Sequence, residues 1–298
     1  MTKHYFIGVD GGATKCTVLL EDASGNLLGR AVSGPANIRL SVPEAWQSIN
    51  QALQHILHTS TITLNKSDCQ THVGVGVAGS EISEAYQAFT CYPHKFSSLS
   101  VTHDAHVACL GAHGGRDGAL IIAGTGVAGY QVEGDTIAKV SGWGFPHDDI
   151  GSGAWLGLEA ARLTLQCQDG RRPASPLASA VMERFDGSLN RLVAWANQAN
   201  STAFATLAPL VIRQSELGDP AALQLIKRAA VSLDAVGAAL LQQQSQVKPL
   251  PCALTGGVTP FLQPHLGPAL QSRLTVSLLP PEAGAILFAK KQLATLKE

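Results

Sequence analysis

The stretch that decides the fold is Tyr5-Phe-Ile-Gly-Val-Asp10-Gly-Gly-Ala-Thr-Lys15-Cys-Thr-Val-Leu-Leu20. Two apolar runs flank a pair of glycines, which is the pattern of a β-hairpin. A third apolar run, Leu27 to Val32, follows the turn Asp22-Ala-Ser-Gly-Asn26. The chain is therefore predicted to open with a three-stranded meander.

The same arrangement of strand, glycine turn, strand, turn and strand returns in the middle of the chain. Ala119 to Ala123 precedes Gly124-Thr125-Gly126, and apolar runs at 127–132 and 136–140 follow. Helical periodicity begins at Pro43, and further strands and helices alternate at 71–78, 83–89 and 100–102. Helical segments are predicted near 154–167, 175–185, 188–198, 202–214 and 219–245, then a last strand at 250–255 and a closing helix from Pro281 to about Lys297. The sequence predicts an α/β fold built from two related halves.

Composition excludes several classes of function. The 298 residues carry 21 Lys and Arg against 22 Asp and Glu, a net charge of −1, and no basic stripe for nucleic acid. The six cysteines form no Cys-x-x-Cys pair, so no zinc site is predicted. No run of about 18 apolar residues is present, so no membrane helix is predicted. We expect a cytoplasmic protein.

Two segments match the dinucleotide pattern G-x-G-x-x-G, Gly74 to Gly79 and Gly124 to Gly129. That pattern requires a strand, a turn and then a helix that begins at the pyrophosphate. Another strand follows Gly129, and the helix after Gly79 starts several residues late. Both matches are interpreted as coincidental, and no P-loop sequence occurs.

The first hairpin, Asp10-Gly-Gly-Ala-Thr-Lys15, can approach an anion closely because glycines lack Cβ atoms. Taken alone, an ordinary hairpin is an equally good interpretation. The second hairpin, Gly124-Thr125-Gly126, favours a pair of turns that cradle a nucleotide triphosphate. The residues predicted to contact ATP in the first hairpin are Gly11, Gly12, Thr14 and Lys15, and Asp10 is predicted to hold Mg²⁺ through water.

Together with Thr255-Gly256-Gly257, the two hairpins resemble the phosphate and adenosine motifs of the sugar kinase, heat-shock protein 70 and actin superfamily. Within it the chain is similar to N-acetylglucosamine kinases and bacterial glucosamine kinases, a branch that also holds BadF/BadG/BcrA/BcrD ATPases. The resemblance implies two duplicated actin-like (ribonuclease H-like) domains around an interdomain cleft. The N-terminal domain, 1–117 plus 282–298, would take sugar and phosphate, and 118–281 would take the nucleotide.

The implied activity is ATP-dependent phosphorylation of the 6-hydroxyl of an amino sugar. The resemblance makes Asp104 the base, and a helix N-cap is its alternative role. It places the sugar against Asn37, Gly142, Trp143, Gly144 and Asp149, and the nucleotide against Gly124, Thr125, Gly126, Gly256, Gly257 and Ala283. Asn37 could instead only shape a turn, Trp143 could fill the core, and Asp148 is expected to be solvated. Val127-Ala128 departs from the family, where a polar residue that touches substrate often follows Gly-Thr-Gly.

Four questions stay open at this point. The segment Gln168 to Leu177 resembles glucosamine kinases whereas Gly142 to Gly144 resembles N-acetylglucosamine kinases, so the acetyl group is undecided. An activator ATPase of an iron–sulfur protein is the alternative function, disfavoured because the cysteines are dispersed. A sugar-sensing regulator is disfavoured because no helix-turn-helix precedes the first strand. The sequence neither requires nor excludes a homodimer.

Overall fold

The computed structural model describes residues 2–64 and 68–295. The chain divides into two compact units of residues. Unit 1 is Met1–Gly118, Val132–Ile137 and Val276–Glu298, and unit 2 is Ala119–Gln131 and Ala138–Thr275. The predicted domain boundaries at 117/118 and 281/282 stay a prediction.

Ten strands, twelve α-helices and one short 3-10 helix, Gln263–His265, are formed by the described residues. The strands are β1 (Lys3–Gly11), β2 (Cys16–Asp22), β3 (Leu27–Ser33), β4 (Cys69–Val77), β5 (Ser98–His103), β6 (Gly118–Ala123), β7 (Val127–Glu133), β8 (Thr136–Ser141), β9 (Cys252–Thr255) and β10 (Leu274–Thr275). The helices are α1 (Val42–Ser60), α2 (Ser83–Thr90), α3 (Asp104–Ala112), α4 (Gly153–Gln168), α5 (Pro176–Arg184), α6 (Leu189–Ala196), α7 (Ser201–Ala205), α8 (Ala208–Glu216), α9 (Pro220–Gln242), α10 (Thr259–Leu262), α11 (Pro268–Gln271) and α12 (Pro281–Thr295).

Unit 1 is built on a five-stranded sheet in the order β3-β2-β1-β4-β5. The first three strands form the predicted antiparallel meander, and β4 and β5 continue it in parallel with β1. Gly11 pairs with Val77, and Val77 pairs with His103. Three chain segments therefore leave the sheet side by side at the carboxyl ends of β1, β4 and β5.

Unit 2 holds a second five-stranded sheet in the order β10-β9-β6-β7-β8. Read from the other edge, this order is the same as in unit 1, with β6 in the place of β1 and β9 in the place of β4. β9 runs parallel to β6 and to β10. The prediction of an α/β chain with two related halves is confirmed.

Each unit has its own apolar core. In unit 1, Trp46 of α1 stacks on Phe89 of α2 with ring centroids 4.7 Å apart, and its indole nitrogen donates to the Phe89 carbonyl at 3.2 Å. The largest fully buried side chains of unit 2 include Leu156, Leu177 and Leu207, contributed by α4, α5 and the turn before α8. Burial of such side chains contributes roughly 1.5–3 kcal/mol each.

Helices α12 and α3 both lie so close to the sheet of unit 1 that glycines are required at the contacts, α12 at Gly74 and α3 at Gly76. A methyl group on Gly74 would lie 1.9 Å from the carbonyl oxygen of Ala285, and one on Gly76 would lie 2.1 Å from Val107. Two glycines of the first G-x-G-x-x-G match therefore serve helix packing. This supports the interpretation that the match is coincidental.

The largest errors of element assignment lie in the helical part of unit 2. The helical segment predicted over 202–214, with Pro209 as an interruption, is two helices, α7 and α8, and Pro209 lies in the first turn of α8, where proline fits. The strand predicted to be last, β9, is followed by α10, α11 and the two-residue β10. The predicted end of the closing helix at Lys297 lies outside the described residues. None of the described helices is long and apolar enough to cross a membrane.

Candidate active site

The first hairpin is anchored by backbone hydrogen bonds at its base and exposed at its tip. The Gly12 N–H donates to the Lys15 carbonyl at 2.9 Å, which closes the turn. The carbonyls of Gly11 and Gly12 accept from Ala78 and Ala36 at 2.8 and 2.9 Å. The side chains of Thr14 and Lys15 are exposed. A hydroxyl and a cation are thus presented on a fixed turn, as an anionic ligand requires.

Asn37 lies beside this hairpin because its backbone bridges to Ala78. Its Oδ1 accepts from the Arg39 N–H at 3.1 Å, so the side chain shapes a turn, as the alternative interpretation expects. Its Nδ2 has no partner among the residues that the structure describes. Asn37 therefore combines a turn role with a free amide donor.

Asp104 is the first residue of α3, and the N-cap position belongs to His103. Its Oδ1 accepts from the Ala105 N–H at 2.8 Å. Burial raises the pKa of Asp104, against the lowering effect of that hydrogen bond and of His103. Asp104 therefore does not occupy the N-cap position, although its carboxylate accepts one N–H of the first helical turn.

Asp10, at the end of β1, lies in an electronegative part of unit 1. Burial raises its pKa to about 7, and repulsion from Asp104 and Glu282 adds to the effect, whereas Lys15 lowers it. A divalent cation would offset that repulsion. No group of three or more possible metal-ligating side chains occurs within residues 2–64 and 68–295. Water and phosphate oxygens would therefore have to supply the remaining ligands, which is the usual arrangement for Mg²⁺.

The second hairpin, in unit 2, is held by the first turn of α4 and by an acid. Gly153 and Ala154 donate their N–H groups to the carbonyls of Gly124 and Thr125 at 2.7 and 3.2 Å. Asp149 is buried, and its Oδ1 accepts from the Val127 N–H at 3.0 Å. Asp149 is therefore a support of the hairpin, a role that the sequence did not suggest.

The loop before α4 carries the predicted sugar residues Gly142, Trp143 and Gly144. Trp143 is 75% exposed, so the alternative in which it fills the core is wrong. Lys139 Nζ lies 5.1 Å from the centroid of its ring. Asp148, which is expected to be solvated, is half-buried, and its Oδ2 accepts from the Ser141 hydroxyl at 2.9 Å and the Trp143 N–H at 3.1 Å. Burial opposes ionisation, but these bonds outweigh it and lower the pKa of Asp148.

Gly256 and Gly257 follow β9, at the same end of the sheet as the second hairpin. Gly256 has φ +111°, and a methyl group there would lie 2.2 Å from the Ala123 carbonyl oxygen, so only glycine fits. A methyl group on Gly257 would meet nothing within 4 Å. Ala283 belongs to unit 1 and packs against the cluster of Phe6, Leu19 and Ile286. Its predicted contact with the nucleotide stays a prediction.

Sequence reasoning overlooked one interaction beside Asp104. The Ser80 hydroxyl and His103 Nδ1 lie 2.9 Å apart, which ties the segment after β4 to the start of α3. The position of Ser80 could have indicated this interaction, because Ser80 follows a parallel strand, β4, at the sheet edge where Asp10 and Asp104 also lie. Unit 1 thus brings together the first hairpin, Asn37, Ser80 and Asp104.

The chain matches the BadF/BadG/BcrA/BcrD ATPase family over residues 7–275. It belongs to this family. The glucosamine kinase GspK of Vibrio cholerae is 34% identical to it over 288 residues, which are 97% of this chain and 96% of that protein. The N-acetyl-D-glucosamine kinase of Dictyostelium discoideum is 28% identical over 236 residues, 74% of this chain and 73% of that protein.

This BadF/BadG/BcrA/BcrD family member also resembles a solved structure over almost its whole length. A Chromobacterium violaceum protein assigned as an N-acetylglucosamine kinase superposes with a TM-score of 0.85 at 33% identity. The match covers 96% of this chain and 98% of that one. The chains share one fold from end to end.

Proposed function

We propose that this ATPase family member is a kinase that transfers the γ-phosphoryl group of ATP to the 6-hydroxyl of an amino sugar. The observation that carries the proposal is the position of Asp104. The residue stands at the carboxyl edge of the unit 1 sheet, two strands from the first hairpin, at the first helical position of α3 and not at its N-cap. At about 4.8 Å per strand, the ends of β1 and β5 are about 10 Å apart.

Each residue then has a role in positioning or proton transfer. Asp104 accepts the proton of the sugar hydroxyl as the new O–P bond forms, and the Nδ2 of Asn37 donates to the sugar. In unit 2, Trp143, Gly142, Gly144 and Asp149 belong to the proposed sugar contacts. The two hairpins bind the phosphates, and Gly256 and Gly257 pack against the adenosine. Positioning and electrostatic stabilisation account for most of the rate in phosphoryl transfer.

Mg²⁺ fits this chain through Asp10. Burial, and after it repulsion from Asp104 and Glu282, raises the pKa of this carboxylate, and a cation beside it would offset that repulsion. The ion would neutralise charge on the β- and γ-phosphates.

The names of the relatives support an amino sugar, and they leave glucosamine and N-acetylglucosamine as the two candidates. An activator ATPase would need clustered thiolates for an iron–sulfur centre. Cys16, Cys109 and Cys252 are buried, and no metal-ligating cluster occurs in the described parts of the chain. We infer that the enzyme acts in the cytoplasm, where ATP is available, and the homodimer stays a prediction.

The test is a coupled ADP-release assay with glucosamine, N-acetylglucosamine, glucose and no sugar. We expect one of the two amino sugars to give the highest kcat/KM. A kcat/KM for glucose above both would overturn the assignment of the substrate. ATP turnover without any stimulation by sugars would overturn the kinase.

A further inference from the structure

Unit 2 contains a polar cavity that is formed by α4, α9 and the segment after α4. It has a volume of about 230 Å³, and none of the candidate active-site residues lines it. The lining includes three arginines, Arg162, Arg172 and Arg228, and one carboxylate, Glu159. We call this site the arginine cavity. Arg172 belongs to the segment Gln168 to Leu177, to which the proposed function assigns no role.

The charges in the arginine cavity do not balance. Glu159 Oε1 accepts from Arg162 and Oε2 from Arg228, both at 2.8 Å, so both oxygens are already used. Arg172 forms no ion pair with any residue that the structure describes. Three guanidinium groups against one carboxylate leave an excess of two positive charges among the lining side chains.

One of the arginines is also held in place by an uncharged aromatic ring. The guanidinium of Arg228 stacks over Trp155, 5.0 Å from the ring centroid. The buried Asp219 does not line the cavity and forms no ion pair with the described residues; its Oδ2 accepts from the Ser175 hydroxyl and the Leu177 N–H, and its Oδ1 from the Ala221 N–H. The positive groups are thus partly preorganised before any ligand arrives.

We propose that the arginine cavity binds the phosphate group of a small anion, either inorganic phosphate or a sugar phosphate. Guanidinium groups offer planar pairs of N–H donors that match phosphate oxygens. The side-chain amides of Gln166 and Gln224 add neutral donors. Pockets for drug-sized ligands measure about 300–1,000 Å³, so a cavity of this size suits a smaller molecule.

Arg172 is the residue on which to test the proposal. Its side chain is exposed, and its backbone N–H donates to the Gln166 carbonyl, a bond that Arg172→Gln retains. The exposed Arg213 on α8 does not line the cavity, so Arg213→Gln is the matched control. Both variants are expected to fold as the wild type does.

The experiment is a calorimetric titration of the full chain, saturated with ADP, with inorganic phosphate and separately with glucosamine 6-phosphate. We expect Arg172→Gln to weaken the binding of phosphate about tenfold or more, and Arg213→Gln to leave it unchanged. Tighter binding of the sugar phosphate than of inorganic phosphate, with the difference lost in Arg172→Gln, would identify the sugar phosphate as the ligand of the cavity, and an equal effect of Arg172→Gln on both Kd values would identify the phosphate group alone. Equal phosphate affinity of wild type and Arg172→Gln, or no binding by the wild type, would overturn the proposal. Neither result depends on kinase activity.

Discussion

At the scale of single residues, the role of Asp104 can be separated from a role in the helix. The residue occupies the first position of α3, and its carboxylate accepts one bond, from the Ala105 N–H at 2.8 Å. An Asn at this position keeps an oxygen for that bond and keeps the shape of the side chain. It cannot take a proton from a hydroxyl group.

Asp104→Asn is therefore expected to lower kcat by about 10²–10⁴-fold, the usual contribution of a general base. The Kd values of ATP and of the sugar are expected to stay close to those of the wild type. Single-turnover kinetics and calorimetry on the same preparation measure both quantities. A kcat within a few-fold of the wild type would remove Asp104 from the chemistry.

The sequence identifies which residue types matter around the site, but it does not show what each side chain contacts. Asp148 and Asp149 are neighbours, and the sequence treats one as solvated and the other as a ligand. In the structure both accept hydrogen bonds from the loops around them, because φ of +64° at Asp149 turns the backbone between them. Neither propensity nor periodicity predicts a left-handed residue other than glycine with any force. The bond between Ser80 and His103 joins residues 23 positions apart and is equally invisible to local patterns.

At the scale of elements, the second hairpin allows ligand contact and hairpin structure to be tested separately. A methyl group on Gly124 would meet nothing within 4 Å, whereas one on Gly126 would lie 3.0–3.2 Å from the Asp149 carboxylate. Asp149 in turn holds the N–H of Val127. Alanine at position 124 therefore leaves the contacts within the protein unchanged, whereas alanine at position 126 crowds the Asp149 carboxylate.

Gly124→Ala is expected to keep the thermal stability of the wild type and to weaken ATP binding, because only a bound phosphate would meet the new methyl group. Gly126→Ala is expected to lower Tm as well, since the carboxylate of Asp149 must move. Thermal denaturation without nucleotide and calorimetric ATP titration measure the two effects. Full ATP affinity in both variants would show that the hairpin does not bind phosphate.

Helix α3 carries a buried histidine that makes stability depend on pH. His106 bonds to the Thr102 hydroxyl at 2.8 Å and contacts Phe288 of α12 edge-on. Burial lowers the pKa of His106 to about 4, and the charges of His103 and Lys291 add to this. Below pH 6.5 the unfolded chain binds a proton that the folded chain refuses, so stability is complete above pH 6.5 and falls as the pH decreases toward 4.

The loss over that interval is about 3 kcal/mol for this one group. His106→Gln is expected to flatten the decrease in Tm between pH 6.5 and 4, and His58→Gln, on the exposed side of α1, is expected to leave it unchanged. Thermal denaturation at a series of pH values provides the measurement. An equally steep decrease in the His106→Gln variant would contradict the buried, neutral histidine.

Most elements could be predicted from the sequence because their patterns are local. The helix over 43–57 and both meanders follow from apolar spacing and glycine turns, and the structure confirms them. The region after β9 could not be predicted, since α10, α11 and β10 have two to four residues each. Such short elements carry too few residues for a period, and tertiary contacts decide their conformation.

At the scale of the whole molecule, duplication explains where the functional groups lie. The β1–β2 turn and the β6–β7 turn occupy the same place in two sheets of the same order, and both are glycine hairpins. The equivalents of β4 and β5 have diverged. β5 leads into Asp104, whereas its counterpart β10 has two residues and ends in no acid. The glycine hairpin is thus present twice, and the proposed base once.

Helix α12 packs against the sheet that contains β1, so unit 1 is built from both the first and the last described elements. The backbone of α12 packs against β1 and α3: a methyl group on Gly8 would lie 1.9 Å from the Glu282 carbonyl oxygen, and one on Gly284 would lie 1.9 Å from that of Val107. These atoms belong to backbones and cannot rotate away. An added methyl group must therefore push the helix off the sheet.

Gly284→Ala is expected to destabilise the protein by about 1–3 kcal/mol or more, the usual cost of overpacking, and to lower Tm by several degrees. Gly124→Ala, the same change where the methyl group meets nothing, is the control and should keep the Tm of the wild type. A chain that stops before Pro281 lacks the whole helix, and we expect it not to fold, because the apolar face of the sheet around Phe6 and Leu19 would be exposed. Thermal denaturation of the point variants and circular dichroism of the truncated chain provide the measurements. Wild-type stability of Gly284→Ala would show that α12 can move away from α3 at little cost, and the close packing would then not be what holds the end of the chain to its beginning.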